Sequence, residues 1–320
     1  MQEEAKNIVG YTDRLSVSAG DHQAFMLSTE TPGRCQVELV ELICGDTRAK
    51  GAGFQERRIE SSLTASLEVA HQPIHGGSYG VAAVNAGVTT VCLCFLPTTA
   101  KQGTVTQVGP LTIRTGENGV CLDIDSEGML TLPCKLNRWH WLGVTVDGDV
   151  LKGRITTDTA GPAERAETTE LSLKLGGSIV LEAESVFLGT SWVDDKTSHV
   201  FNGKVERPWL SSETFDLSDA EILSEDLDRI KDAKGLIAAW DFSQQVAGDT
   251  GVDIGPSGSH VTLFNCPTRA VKGRYWDGTS NNVNEVPFQY GAVYFHDDDL
   301  TDANWSPTTS WRVPDDLPSA

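Results

Sequence analysis

Asn137-Arg138-Trp139-His140-Trp141-Leu142-Gly143-Val144-Thr145-Val146-Asp147-Gly148-Asp149-Val150-Leu151-Lys152-Gly153-Arg154-Ile155 decides the fold class. It reads as two strands joined at Asp147-Gly148, a pair that supplies the positive φ angles of a type I′ turn. Trp139, Trp141, Val144 and Val146 are apolar and partly alternate with Arg138, His140 and Thr145. A lone hairpin is at best marginally stable in water, so one holding two tryptophans needs a second sheet to cover it. Trp139 and Trp141 are therefore expected at the centre of a sandwich core, with His140 turned to the other, exposed side.

On both sides of this hairpin lie short apolar runs and close turns. Upstream, residues 8–11, 14–17, 23–28 and 35–43 read as strands, with turns at Ala19-Gly20-Asp21 and Thr31-Pro32-Gly33. Their spacing is that of an immunoglobulin-like sandwich. From residue 80 the runs become more apolar, with strands expected at 89–96, 111–114, 119–124, 129–132, 178–188, 199–205 and 236–242. The polar region 157–170 reads as a surface loop. One short helix is expected near 218–232, with Ser218 as N-cap, Glu221 at N3 and the stripe Ile222, Leu223, Leu227, Ile230. Many strands and a single helix give an all-β protein of packed antiparallel sheets.

Composition bounds the partners. The chain has 320 residues, enough for two domains, and its 39% hydrophobic and 22% charged content is that of a globular protein with large cores. With 25 Lys and Arg against 45 Asp and Glu, the net charge is −20. Nucleic acid and anionic membrane both require a positive surface, so neither is expected as a partner. Met1-Gln2-Glu3-Glu4-Ala5-Lys6 shows no secretory signal, and no run approaches the roughly 18 apolar residues of a membrane span. Seven cysteines, with Cys92 and Cys94 inside an apolar run, do not form a disulfide framework, and a reducing cytoplasm is the expected compartment.

Several constellations could carry chemistry, and each has a structural explanation. Asp123-Ile124-Asp125-Ser126-Glu127-Gly128 begins like a calcium loop, but Cys134 stands where the bidentate Glu belongs, and a hairpin turn explains it. Glu182 and Glu184 share a strand face, as the paired carboxylates of jelly-roll glycosidases do, yet no third acid follows and a solvated face suffices. His296-Asp297-Asp298-Asp299 suits a hard cation, although three adjacent Asp cannot all converge; Asp299 or Asp302 is expected to cap the turn before Trp305. Cys92 and Cys94 read as buried core. Gly255-Pro256-Ser257-Gly258-Ser259 falls one residue short of a nucleophile elbow, and Gly51-Ala52-Gly53 to Glu56 fails the dinucleotide fingerprint. Trp192, Trp209 and Trp305 could stack on sugar, but tryptophan more often fills a core. No catalytic, cofactor-binding or metal-binding residue is assigned.

The middle of the chain resembles the concanavalin A-like, laminin-G-like jelly roll. The matching elements are Leu122-Asp123-Ile124 through Leu132, Trp139 through Val144, Phe201-Asn202-Gly203-Lys204-Val205-Glu206, and Leu217-Ser218-Asp219-Ala220-Glu221-Ile222. The flanks resemble the N-terminal region of the N,N-dimethylformamidase large (beta) subunit family. Gly10-Tyr11-Thr12-Asp13-Arg14-Leu15-Ser16-Val17, Ala239-Trp240-Asp241-Phe242, Asn265 through Val271, Trp276-Asp277-Gly278, Tyr290 through Leu300, and Val313 through Ser319 carry that likeness.

The resemblance implies an immunoglobulin-like sandwich in two parts, residues 1–75 and 268–320, with the jelly roll, 76–267, inserted between them. It implies a non-catalytic scaffold or assembly role in an amide hydrolase whose iron-dependent catalytic domain would follow residue 320, so that no cofactor is expected in this chain. A last sandwich strand would lie just beyond Ala320, leaving an edge exposed or paired with a neighbour. The implied partners are the enzyme's own catalytic domain or subunits, in a homo-oligomeric assembly. The alternative is a carbohydrate-binding jelly-roll module, by fold analogy alone.

Overall fold

The structure is a computed structural model and describes residues 7–63, 65–125, 127–159, 165–194 and 196–316. Ser126 of the calcium-like turn, residues 160–164 of the expected loop, residues 1–6 and the terminal motif at 317–320 lie outside the described residues. Among the described residues, strands dominate, with two short α-helices, Leu217–Ser224 and Leu227–Lys231, and one 3-10 turn, Pro287–Tyr290.

The chain divides into two compact units, Met1–Ile74 with Asp302–Ala320, and His75–Thr301. The expected return at residue 268 is therefore corrected to residue 302. Thr268–Val271 pairs with Ala292–Phe295, and the latter pairs with Gly203–Ser211, so the whole segment is bound into the larger unit's sheet.

In the larger unit, seven strands follow one another in space: Gly128–Leu132, Gly119–Ile124, Leu111–Gly116, Gly103–Val108, Leu181–Leu188, Tyr79–Val88 and Val261–Phe264. Thr250–Asp253 links these to Leu236–Asp241, Gly203–Ser211, Thr90–Pro97, His140–Asp147, Val150–Thr157 and Glu167–Lys174. The far ends curl together, since a Cβ on Gly128 would come within 2.9 Å of both Leu173 and Leu175. The resulting sandwich encloses a core that includes Leu93, Phe95, Ile113, Leu122, Leu142 and Phe295. Gly153 lets the facing layers approach, because a Cβ there would stand 2.5 Å from Leu122 Cδ1.

The opening hairpin forms as expected, but its faces are reversed. His140–Asp147 is buried along nearly its whole length between Thr90–Pro97 and Val150–Thr157. Leu142, Val144 and Val146 point into the sandwich. Trp141 points the other way, into a second cluster with Cys92, Cys94, Trp209, Leu217, Ala220 and Ile230 under the two helices. Trp139 is half-buried at the margin of that cluster. His140 is not exposed: its accessibility is 0%, and its ring stacks on Phe95 at 5.1 Å. Its Nδ1 meets Thr157 Oγ1 at 2.9 Å, and its Nε2 meets Lys135 O at 2.9 Å. Burial pushes its pKa down and keeps the ring neutral.

Other local readings are also corrected. The turn residues are Gly148 and Asp149, with Asp147 opposite Val150, and Gly148 has φ +60° at the first central position, as in a type II′ turn. The single expected helix is two, because the Asp226 carboxylate accepts Asp228 N and starts a new helix directly after Glu225. The first N-cap is Asp216, which accepts Ser218 N at 2.8 Å, and Glu221 instead pairs with Arg154. Glu167–Lys174, partly read as loop, is an edge strand on Val150–Thr157; its mostly exposed polar side chains hide the strand period.

The smaller unit is also β. His22–Thr29 lies between Ile8–Thr12 and Thr309–Arg312, so chain segments far apart in sequence share one sheet. The expected strand at 35–43 is split: Gly33–Val37 pairs with Ala65–Val69, and Leu39–Gly45 with Phe54–Ile59. Leu63, Trp311 and Val313 form the core, with Val17, Phe25, Val37 and Leu39 against it.

Burial on opposite faces of one strand makes a direct prediction. Trp141→Ala should cost about 3–5 kcal/mol and Leu142→Ala about 2–5 kcal/mol, although the residues are adjacent. Denaturant unfolding measures both, and a near-neutral result for either would contradict the two-sided burial.

Candidate functional site

Several strongly perturbed ionisable groups of the larger unit gather where residues 272–278 lie against the strand Gly203–Ser211. Glu206 lies opposite Cys94 and Ala292 on its neighbouring strands and has 0% accessibility. Arg207 follows at φ +49°, beside the register break between Glu206 and Trp209. Glu206 Oε2 accepts Arg274 N at 2.6 Å. Its Oε1 has no hydrogen-bond partner, and Arg207 Nε stands 3.9 Å away. Gly273 packs directly on this carboxylate: a Cβ there would meet Glu206 Oε1 at 2.0 Å, so any side chain at 273 would displace the Glu206 carboxylate. Burial pushes the Glu206 carboxyl up to about 7, against the opposing pull of Arg207 and Arg274.

The neighbours are all engaged. Arg274 forks onto Asp158, with Nε 3.0 and 3.1 Å and Nη2 2.8 Å from its oxygens. Arg207 lies over the Tyr275 ring at 4.1 Å, and its Nη1 donates to Glu225 O at 2.7 Å. That carbonyl ends the first helix, where a cation is favoured by the helix dipole. The Cys94 thiol donates to Tyr275 Oη at 3.8 Å; burial pushes the thiol up to about 11 and raises the phenol as well. Trp209 Nε1 donates to Ser224 Oγ at 2.9 Å. These bonds clamp residues 272–278 and the first helix onto the strand.

A cleft of about 550 Å³ lies beside this clamp, bounded by Arg207, Asp241, Tyr275, Asp277, Phe288 and Gln289. Its carboxylates hold loops: Asp241 accepts from Ser243 N and Oγ and from Gln244, and Asp277 accepts from Thr279 N and Oγ. A group with pKa near neutrality is the usual acid/base candidate, but a general base must reach its substrate. Glu206 is fully enclosed, and its one bonded oxygen is held by main chain.

The candidates read from the sequence do not assemble into one site. Asp123 accepts Arg114 Nη1 at 2.7 Å, a structural pair next to the calcium-like turn. Glu182 and Glu184 both lie on the exposed face of Leu181–Leu188. Ser257 Oγ donates to Asp253 at 2.8 Å, and the Asp253 carboxylate also takes Ala239 N, Gly255 N and Ser259 N, so it organises the loop. His260 Nδ1 accepts Asp253 N rather than the Ser257 hydroxyl, which is not the relay of a nucleophilic serine. Cys92 and Cys94 are buried in the helix-covered cluster.

Trp209 has 0% accessibility and offers no stacking face. Trp192 stacks on Phe187, and Trp305 belongs to the smaller unit, where its Nε1 donates to Pro73 O. Of the acidic run, Asp299 accepts Ser78 Oγ at 2.6 Å, while Asp302 caps the turn toward Trp305 by accepting Asn304 N at 2.8 Å. His296, Asp297 and Asp298 bring ligand-type atoms within 4.8 Å of one another. The Lys101 ammonium pairs directly with Asp297 and holds its carboxyl below the usual range. A lysine thus already supplies a cation to Asp297 of this set.

The sequence reading missed Glu206, Arg207, Arg274 and Tyr275. The available signal was Glu206-Arg207 set between Val205 and Pro208-Trp209-Leu210, since buried charges are rare unless paired. The pairing itself joins residues 68 positions apart.

A near-closed antiparallel sandwich, with polar clusters that bind the chain to itself, defines an all-β jelly-roll-type protein. Within that class the chain is similar to the N,N-dimethylformamidase beta subunit of Paracoccus aminophilus, at 27% identity over 98% of this chain and 46% of the relative. The N,N-dimethylformamidase beta subunit of an Alcaligenes species gives 28% identity over the same shares. The resemblance carried by the flanking motifs thus holds along the chain, which spans about half the length of these curated relatives. No protein-family model matches. A native heptameric SAP-like pentraxin from Limulus polyphemus overlaps 48% of this chain and 77% of its own, at 14% identity and a TM-score of 0.28; the architecture rests on the strand pairing itself. Among the described residues, no helix is long and apolar enough to cross a membrane.

Two outcomes follow from the clamp. The Glu206 carboxyl is raised from 4.5 to about 7 in the folded state, so folding takes up a proton. Its contribution to stability is full below pH 4.5 and is lost as the pH rises through about 7, by on the order of 3 kcal/mol. Glu206→Gln should remove that component, so the variant gains relative to wild type at pH 8 but not at pH 4.5; thermal melts across this range check the sign. The buried Cys92 and Cys94 should resist maleimide in the folded protein while the exposed Cys266 reacts, as peptide mass mapping would show.

Proposed function

We propose that this chain is the scaffold and assembly region of an N,N-dimethylformamidase-like amidohydrolase beta subunit and is not catalytic by itself. The carrying observation is the end-to-end similarity, 98% of this chain against 46% of each relative. The iron-dependent catalytic part then belongs to the share of the relatives' length that this chain does not match. The clamp around Glu206 supports the reading, because its ionisable groups are spent on holding residues 272–278 to the strand. The partners in this reading are the enzyme's catalytic part and its other subunits, in a cytoplasmic assembly.

The purified chain, supplied with iron, should release no dimethylamine from N,N-dimethylformamide above background. Expressed together with the catalytic part from the same genome, it should co-purify with it. Turnover by the chain alone would overturn the non-catalytic reading, and failure to co-purify would overturn the assembly role.

A further inference from the structure

Two buried side chains of the cleft beside the clamp have donors to spare. Arg207 is 6% accessible, and its guanidinium is held at three points. Its Nη1 donates to Glu225 O at 2.7 Å, its plane lies over the Tyr275 ring, and its Nε stands 3.9 Å from Glu206. Arg207 lines the cleft, and no described residue accepts from its Nη2. Gln289 is 4% accessible and lines the cleft as well. Asp277 N donates to its Oε1 at 3.2 Å, which orients the amide, and no described residue accepts from its Nε2. Buried donors are almost always satisfied within a protein, so two left open to one cleft are placed to receive an acceptor from outside the chain.

Charge identifies the ligand. A carboxylate is the acceptor that a guanidinium corner and an amide donor match best. Yet the cleft is lined by five carboxylates against two cations, Arg207 and Lys231, so a simple anion would be repelled at its mouth. A simple cation would leave the two buried donors unanswered. One ligand that carries a carboxylate and an ammonium meets both demands.

Asp277 sets the spacing of those two charges. Its amide reaches Gln289 Oε1, so its carboxylate belongs to the residue directly beside a buried donor. Thr279 N and Oγ occupy its Oδ1, while no described residue donates to its Oδ2. Neighbouring carboxylate and ammonium groups are those of an α-amino acid. The rest of the wall includes Leu227, Ile254 and Phe288, and Phe288 is 53% exposed, which suits an apolar side chain. The volume of about 550 Å³ lies within the range of small-molecule sites.

We propose that this cleft binds a free α-amino acid with an apolar side chain. Its carboxylate sits on Arg207 and Gln289, its ammonium on Asp277, and its side chain against Phe288. Calorimetric titration of the purified chain near neutral pH with L-leucine, L-methionine and L-phenylalanine measures the binding. The tightest of the three should have a Kd below ~1 mM. Its N-acetyl and carboxamide forms, which each lack one charge, should bind at least ~10-fold more weakly. Asp277→Asn keeps the acceptor for Thr279, and it should weaken the free amino acid at least ~5-fold while leaving the N-acetyl form unchanged. Arg207→Lys keeps the charge but withdraws Nη2, and should weaken binding ~10-fold, with circular dichroism as the check on folding. Should that variant unfold, Asp277→Asn and Phe288→Ala, both at exposed side chains, still carry the test. Absence of binding by all three amino acids would overturn the proposal. So would a single-charge form that binds as tightly, or an Asp277→Asn variant of unchanged affinity. Tighter binding of trileucine than of L-leucine would also overturn it, in favour of a peptide terminus.

Discussion

The larger unit depends on one strand that is buried on both faces. His140–Asp147 sends Leu142, Val144 and Val146 into the sandwich and Trp141 into the cluster beneath the helices. A strand with one wet face can end its sheet at solvent, but this one cannot. The second face needs a cover, which the helices Leu217–Ser224 and Leu227–Lys231 provide. Gly143 admits that cover, because a Cβ there would press on Leu217 at 3.0 Å. The two-sided burial also accounts for His140, whose imidazole fills a core position and satisfies both nitrogens against Thr157 and Lys135.

The Glu206 clamp is a consequence of the same cover. Residues 272–278 lie against Gly203–Ser211 beside the helices, and main chain laid on a sheet face needs partners for its polar groups. Glu206 accepts the Arg274 amide, Arg274 forks onto Asp158, and Arg207 ends the first helix while lying on Tyr275. Enclosure raises the carboxyl and the thiol together, so perturbed titration marks a structural joint here. The same chemistry in an open cleft would read as an acid/base pair; accessibility distinguishes the two.

The smaller unit shows the opposite balance. Its core is small, built on Leu63, Trp311 and Val313, and much of its apolar surface remains outside it. The hairpin Leu39–Gly45 and Phe54–Ile59 anchors one face and leaves the other open. A two-stranded sheet is marginal alone, so this hairpin depends on its anchored face, where Leu39 packs against the core.

The sequence alone determined the all-β class, the hairpin, most strand positions in the larger unit and the likeness to dimethylformamidase beta subunits, because alternation, turn residues and local motifs are properties of neighbouring positions. It also determined that Cys92 and Cys94 would be core, from the apolar run around them. Only the tertiary structure decided which face of 140–147 carried the tryptophan. A strand buried on both sides is apolar on both sides, and the alternation that would orient it vanishes. The same limit hid the edge strand Glu167–Lys174, whose faces are both largely polar. The return to the first unit at residue 302, the meeting of Glu206 with Arg274 and the enclosure of Trp209 all depend on pairings between distant residues, for which the local pattern carries no signal.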